Sequence, residues 1–302
     1  LSVVFIVVAI ARWRLPAFFA LALAAMLVGL LSAWAGAEGG WVAAVERPLA
    51  ELGAACGKIA FPIALAAVIG VCLTESGAAD RIVRSFIATL GEKRADVALL
   101  LSGFILAIPV FFDTVFFLLI PLARALAART GRNYLLYVMV MCGGGVITHS
   151  TVPPTPGPLL ITEMLRLDLG VAILGGLACG LIPAGVTLAL AHWLNRRRPI
   201  PLRATGGVTA ATPERADADL PPFLLSLTPV LLPILLIGGA SLLAVLRPAG
   251  AGWAVLEFLG NKNVAMLAGT AVAVALLARS RRQGLRQLSD LLASPLETAG
   301  VI

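Results

Sequence analysis

The 302 residues are 60% hydrophobic and 13% charged, with a mean hydropathy of +0.98; soluble domains run about 45–50% apolar and about 25% charged, so a soluble globular protein is excluded and an integral membrane protein indicated. The net charge of +7 sits in short basic clusters between apolar runs, with no aromatic residues interleaved to stack bases, which argues against a nucleic-acid partner. Cys56, Cys72, Cys142 and Cys179 lie far apart, without a CxxC and without a histidine at ligand spacing, so no disulfide framework, metal site or other cofactor is expected.

A membrane-spanning helix needs about 20 apolar residues, and orientation follows from where Lys and Arg collect in short loops. Leu1 to Ala11 reads as the remnant of a first span and Leu15 to Ala33 as a second. Glu38 to Lys58 reads as a mixed loop with an interfacial helix. Ile59 to about Leu73 is a third span, leading to a short amphipathic helix that carries Asp80, Arg81 and Arg84 and ends near Lys93 and Arg94. Ala95 to Ala123 is then one apolar run, over-long for one span and short of the roughly 40 residues that two require. Basic residues flank it on both sides, so it reads as a re-entrant hairpin that turns near Pro109 to Thr114, with its tip near mid-membrane. Asn133 to about Ile147 crosses outward, unwinds through Thr148 to Pro158 and resumes to about Leu167. Gly170 to Leu194 returns to the basic run Arg196, Arg197 and Arg198.

Residues 1–198 thus form a first transmembrane repeat of five spans plus the hairpin 95–123, and residues 199–221 a polar cytoplasmic linker. Residues 222–302, with spans at Phe223 to Leu246 and Val264 to Ala278, begin a second repeat of opposite orientation. This layout places Arg12, Arg14, Arg81, Arg84, Lys93, Arg94, the Arg124 to Arg132 group, Arg196 to Arg203, Arg215 and the Arg279 to Arg286 group inside, and only Arg47, Lys58, Arg166, Arg247 and Lys262 outside, as the positive-inside rule requires. The stretch from Trp41 is loosely echoed by that from Gly284. Leu1 opens within a hydrophobic run and Ile302 closes as another starts, so the chain reads as a fragment of an all-α, polytopic, inverted-repeat protein.

Irregular backbone at membrane depth is tolerated only where it is buried in protein or lines a polar cavity, which makes Gly143 to Leu159, with its glycines, prolines and histidine, the candidate site. Asp113, with Thr114 beside it at the hairpin tip, is a carboxylate whose placement at the bilayer centre costs about 2.5–3.5 kcal/mol on insertion scales, hence a functional candidate; the alternative is an N-cap. His149 suits proton coupling or a charge-assisted bond to an anion, or else bonds an internal carbonyl. Thr148, Ser150, Thr151 and Thr155 offer hydroxyls for a hydroxylated substrate, or back-bond within a kinked helix. The half-helix after Pro158 would present free N–H groups to a carboxylate. Gly143 to Gly145 allow close helix approach or backbone access to substrate. His192, beside Trp193, reads as interfacial, and Glu163 faces the outer aqueous side. Asp113, His149 and Ser150 supply hydrolase residue types, but no GxSxG or HExxH is present and adjacent His and Ser side chains diverge, so an enzyme is not expected.

At Pro109 to Gly131 and Ile147 to Leu159 the chain resembles the gluconate permease family of proton symporters, within the larger ion-transporter superfamily. Asp113 matches the acidic hairpin tip, and Thr148, His149, Pro153, Pro154, Pro156, Gly157 and Pro158 match a Thr-His pair before a proline loop; Ser150 and Thr155 stand where glycine and a second histidine are frequent. The resemblance implies a multi-pass protein of the bacterial inner membrane, two inverted repeats meeting at a central site, and proton-coupled symport of gluconate or a related sugar acid, with a possible homo-oligomer. Substrate would meet Asp113, Thr114, Thr148, His149, Ser150, Thr155 and Gly157, and Asp113 and His149 would carry the proton. A sodium-coupled carboxylate carrier, an ion antiporter, or a non-transporting scaffold or sensor are the alternatives.

Overall fold

The computed structural model describes residues 2–36, 40–200, 202, 217–246 and 251–281. All regular structure among them is helical: α1 (Ser2–Ala11), α2 (Ala17–Trp34), α3 (Gly40–Ser76), α4 (Ala78–Leu90), α5 (Ala95–Leu106), α6 (Phe112–Thr130), α7 (Tyr134–Thr151), α8 (Pro156–Met164), α9 (Leu169–Arg197), α10 (Phe223–Leu246), α11 (Ala251–Gly260) and α12 (Lys262–Arg281). Among the described residues six stretches are long and apolar enough to cross a membrane, namely α2, α3, α7 with α8, α9, α10 and α12. The protein is therefore an all-α, polytopic membrane protein. Glu38, Arg203, Arg215, Arg247, Arg282, Arg286, most of the linker and the stretch from Gly284 lie outside the described residues.

Two compact units divide at Ile59. In the first, the expected loop from Glu38 to Lys58 is instead helical from Gly40, continuous with the third span. Its charges do not oppose a helix, because Arg47 and Glu51 are four residues apart on one face. Pro48 carries no N–H, so the carbonyl of Ala44 loses its helical donor. Gly29 of α2 packs so closely on that carbonyl oxygen that an added Cβ would collide with it.

The second unit is built around α5 and α7. A Cβ on Gly103 would lie 2.5 Å from the Met141 carbonyl oxygen, and one on Gly144 would strike the Leu100 carbonyl, so the two backbones touch. Gly145 faces the Phe112 ring and Gly143 faces Thr187. The glycine triplet is thus a packing device, which in lipid replaces the hydrophobic drive between helices. The carbonyl device of the first unit recurs here: Pro233 leaves the Pro229 carbonyl without its donor, and Gly269 of α12 packs 3.1 Å from that oxygen, measured from its would-be Cβ. Leu73, Ile82, Leu99, Leu106, Leu119 and Met141 fill the interior.

The apolar run folds as a helical hairpin whose returning arm continues past the expected Ala123 to Thr130. At about 1.5 Å per residue, the 12 residues of α5 reach about 18 Å, short of the about 30 Å hydrocarbon core. Ala107 to Phe111 reverse the chain, and α6 returns until Gly131 ends it at a positive φ of 66°, the left-handed conformation that favours glycine. Glu92, just before α5, pairs with Arg129 in the last turn of α6, closing the mouth of the hairpin. The same end gathers other chain reversals. Asn195 Nδ2 donates to Asn133 Oδ1 (2.9 Å), Ser280 Oγ donates to the Ser76 carbonyl (2.9 Å), and Arg81 of α4 donates to the carbonyls of Pro221 (2.9 Å) and Leu220 (3.2 Å) ahead of α10. His192, expected to be interfacial, bridges two elements. Its Nδ1 donates to the Leu188 carbonyl (2.9 Å) and its Nε2 lies 3.2 Å from Asp96 Oδ2 at the start of α5. Trp193 stays exposed, with the Arg197 guanidinium 5.3 Å over its ring.

Candidate functional site

The broken helix opens later than the sequence suggested. Thr148, His149, Ser150 and Thr151 remain in α7: the Val152 N–H still donates to the Thr148 carbonyl (2.9 Å), and the Thr151 hydroxyl donates to the Ile147 carbonyl (2.8 Å). The break is confined to Val152 to Thr155. Val152 adopts φ −117°, ψ 119°, the extended conformation imposed on a residue preceding proline. The Pro153–Pro154 bond is cis. These four residues are buried, and the Thr155 hydroxyl donates to the Val152 carbonyl (2.7 Å) while the Thr155 carbonyl accepts the Leu159 N–H (3.0 Å). Thr155 thus spends its polar groups on holding the break together.

α8 starts at Pro156, not after Pro158, and ends at Met164, short of Leu167. Pro156 and Pro158 have no N–H and that of Leu159 is engaged, so the array of free amides anticipated at this terminus reduces to the N–H of Gly157. A Cβ at Gly157 would meet no protein atom within 4 Å.

The end of α7, the hairpin turn and the start of α8 enclose an open cleft of about 420 Å³ lined by Phe111, His149, Ser150, Pro156, Gly157, Pro158 and Ile161. The Phe111 ring stands edge-on to the His149 imidazole, with centroids 6.3 Å apart. Of the residues the sequence singled out, His149, Ser150 and Gly157 line this cleft. Asp113 lies in the first turn of α6, exposed, and does not line the cleft. It does not cap that helix: Phe111 is the N-cap residue and no side-chain bond closes the terminus. Thr114 is half-buried beside it, and Thr148 is fully buried. Two buried polar atoms here have no protein partner, His149 Nδ1 and Thr148 Oγ1; burial without a partner costs about 1–3 kcal/mol each. Among the described residues no group of three or more His, Cys, Asp or Glu is placed to hold a metal. Phe111 and Ile161, the apolar walls, were missed; bulky apolar residues inside membrane-grade sequence carry no local mark of a site.

A polytopic helical protein whose hairpin tip meets a broken helix at an open cleft has the construction of a membrane permease. The chain belongs to the GntP permease family: the model for GntP family permeases matches residues 1–302. It is 32% identical over 244 residues to an uncharacterized permease of Haemophilus influenzae, covering 78% of this chain and 49% of that protein. It is 31% identical to a gluconate permease of Zymomonas mobilis over 91% of this chain and 60% of the relative. Against a low-affinity gluconate transporter of Escherichia coli the identity is 30%, over 100% of this chain and 66% of the relative. The chain therefore spans about half to two thirds of the length of these relatives. No solved structure matches it.

Proposed function

We propose that the protein is a secondary active transporter that carries gluconate or a related sugar acid across the cytoplasmic membrane by proton symport, and that this chain supplies the first of two inverted halves, residues 1–198, a linker, 199–221, and the opening of the second half. The positive-inside rule puts the Arg129, Asn133 and Arg196 end of the molecule in the cytoplasm. The names of the relatives supply the substrate class, and the cleft suits it: the Gly157 amide at a helix N-terminus favours a carboxylate, and the Ser150 hydroxyl matches a polyol.

The observation that carries this reading is the unpartnered Nδ1 of His149 beside a cleft. A proton arriving there raises the charge of the site by one and strengthens its hold on an anion. The two gradients are thereby linked through one coupling free energy.

The test is uptake by the full-length protein in proteoliposomes. Labelled gluconate should accumulate when the outside is acidic, and a protonophore should abolish the accumulation. In Asp113→Asn and His149→Gln variants uptake should lose its dependence on the pH gradient. Accumulation driven by a sodium gradient and indifferent to protons would sink the symport assignment, and gradient-dependent uptake by the double variant would sink the roles given to Asp113 and His149.

A further inference from the structure

One charged pair stands apart from the cleft-lining groups. α8, nine residues long, walls the cleft with its first turn; in its last turn the Glu163 carboxylate pairs with the ammonium of Lys262, the first residue of α12. The partners are 99 positions apart and their side chains are only 25% and 21% exposed. Each charge sits at the wrong end of its own helix. A carboxylate near a helix C-terminus and an ammonium at an N-terminus are both opposed by the helix dipole, so neither helix gains from the residue it carries and the compensation lies in the partner. Behind α8, fully buried Leu159 meets Pro109, Pro154, Met266 and the Lys262 stem around an enclosed void of about 10 Å³. The half-helix is thus backed by apolar contact that can slide and held by an ion pair that can break.

We propose that Glu163 and Lys262 are positioning residues of the transport cycle: they latch the cleft-forming half-helix onto α12, and the latch opens when the site changes access. Rocking of one element against another around a fixed site is how such folds alternate access, and a contact between the broken helix and α12 lies across that movement. The inference rests on the transport reading above.

Two measurements on the full-length, cysteine-free protein test it. In the first, Ile161→Cys reports access to the cleft by its rate of labelling with a water-soluble thiol reagent, which requires no transport. Glu163→Gln or Lys262→Met should each raise that rate about tenfold, a pair of this burial lying between the exposed and the buried extremes. The exchanged pair, Glu163→Lys with Lys262→Glu, should return it to the starting rate or below, because both charges then also suit their helix dipoles. In the second, Glu163→Cys with Lys262→Cys is bridged by a reducible bifunctional thiol reagent; uptake should fall at least tenfold and recover on reduction. Uptake undiminished by the bridge overturns the latch, as does labelling that neither single substitution changes or that the exchanged pair fails to restore. If labelling responds as stated while the unmodified protein carries no sugar acid, the latch stands and the transport reading falls.

Discussion

The seam between α5 and α7 offers a sharp test of the packing because two effects of known size oppose each other there. In Gly103→Ala the new methyl lies 2.5 Å from the Met141 carbonyl oxygen and 3.1 Å from the Gly145 nitrogen, against the about 3.5–4.0 Å at which non-bonded atoms settle. Both obstacles are backbone, so no side-chain rotation relieves them and the helices must part by about 1 Å. Parting also loosens the neighbouring contact of Gly144 on the Leu100 carbonyl. Alanine favours the helix over glycine by about 0.8–1.0 kcal/mol, while overpacking costs about 1–3 kcal/mol. With rigid obstacles on one side the upper figure applies, leaving a net loss of about 2 kcal/mol. The thermal midpoint of the full-length protein in detergent, followed by size exclusion after heating, should fall by about 2–3 °C. Gly157→Ala, whose methyl meets nothing within 4 Å, is the control and should not fall. A Gly103→Ala protein that melts at or above the unmodified one would refute the close seam.

Gly157→Leu should leave the thermal midpoint nearly unchanged yet cut uptake at least tenfold, since the side chain enters a space bounded by the cleft; full uptake would place substrate elsewhere. Asp168 accepts the Val171 N–H (2.9 Å) as the N-cap of α9, so Asp168→Ala should cost about 1 kcal/mol of stability, read as a lower midpoint. Arg81 and Arg84 of α4 should differ. Arg84 makes an ion pair with Asp217, whose side chain is 71% exposed, and Arg84→Met should cost under about 0.5 kcal/mol. Arg81→Met strands the Pro221 and Leu220 carbonyls and should cost about 1–3 kcal/mol. Equal losses in a thermal scan would overturn that ranking.

The hairpin was legible because length alone decides it: an apolar run between one span and two, with Pro109 in its middle, has few ways to end where it began. The end of α7 was equally legible, yet the sequence was misread there. Polar residues at 148–151 suggest an opening there, whereas the chain stays helical until the residue before Pro153, where proline itself disfavours the α conformation. Gly143 to Gly145 left packing and substrate access open; their contacts with Leu100, Phe112 and Thr187 decide for packing. Glu163 with Lys262, and Asp96 with His192, were beyond reach, because a polar contact between distant elements leaves no local periodicity or spacing. Arg47 and Glu51 misled in the opposite direction, as charges resemble a loop until their four-residue spacing is counted.

The alternation of prolines around the break also bears on spectroscopy. From Val152 to Leu159, prolines occupy 153, 154, 156 and 158, which leaves exchangeable amide protons on Val152, Thr155, Gly157 and Leu159. Those of Val152 and Leu159 are tied to carbonyls, and of the other two residues only Gly157 borders the cleft. Gly157 is one of 30 glycines but follows the one Pro-Gly junction of this sequence, so carbonyl-labelled proline combined with nitrogen-labelled glycine selects its resonance, whose solvent exchange reports occupancy of the cavity.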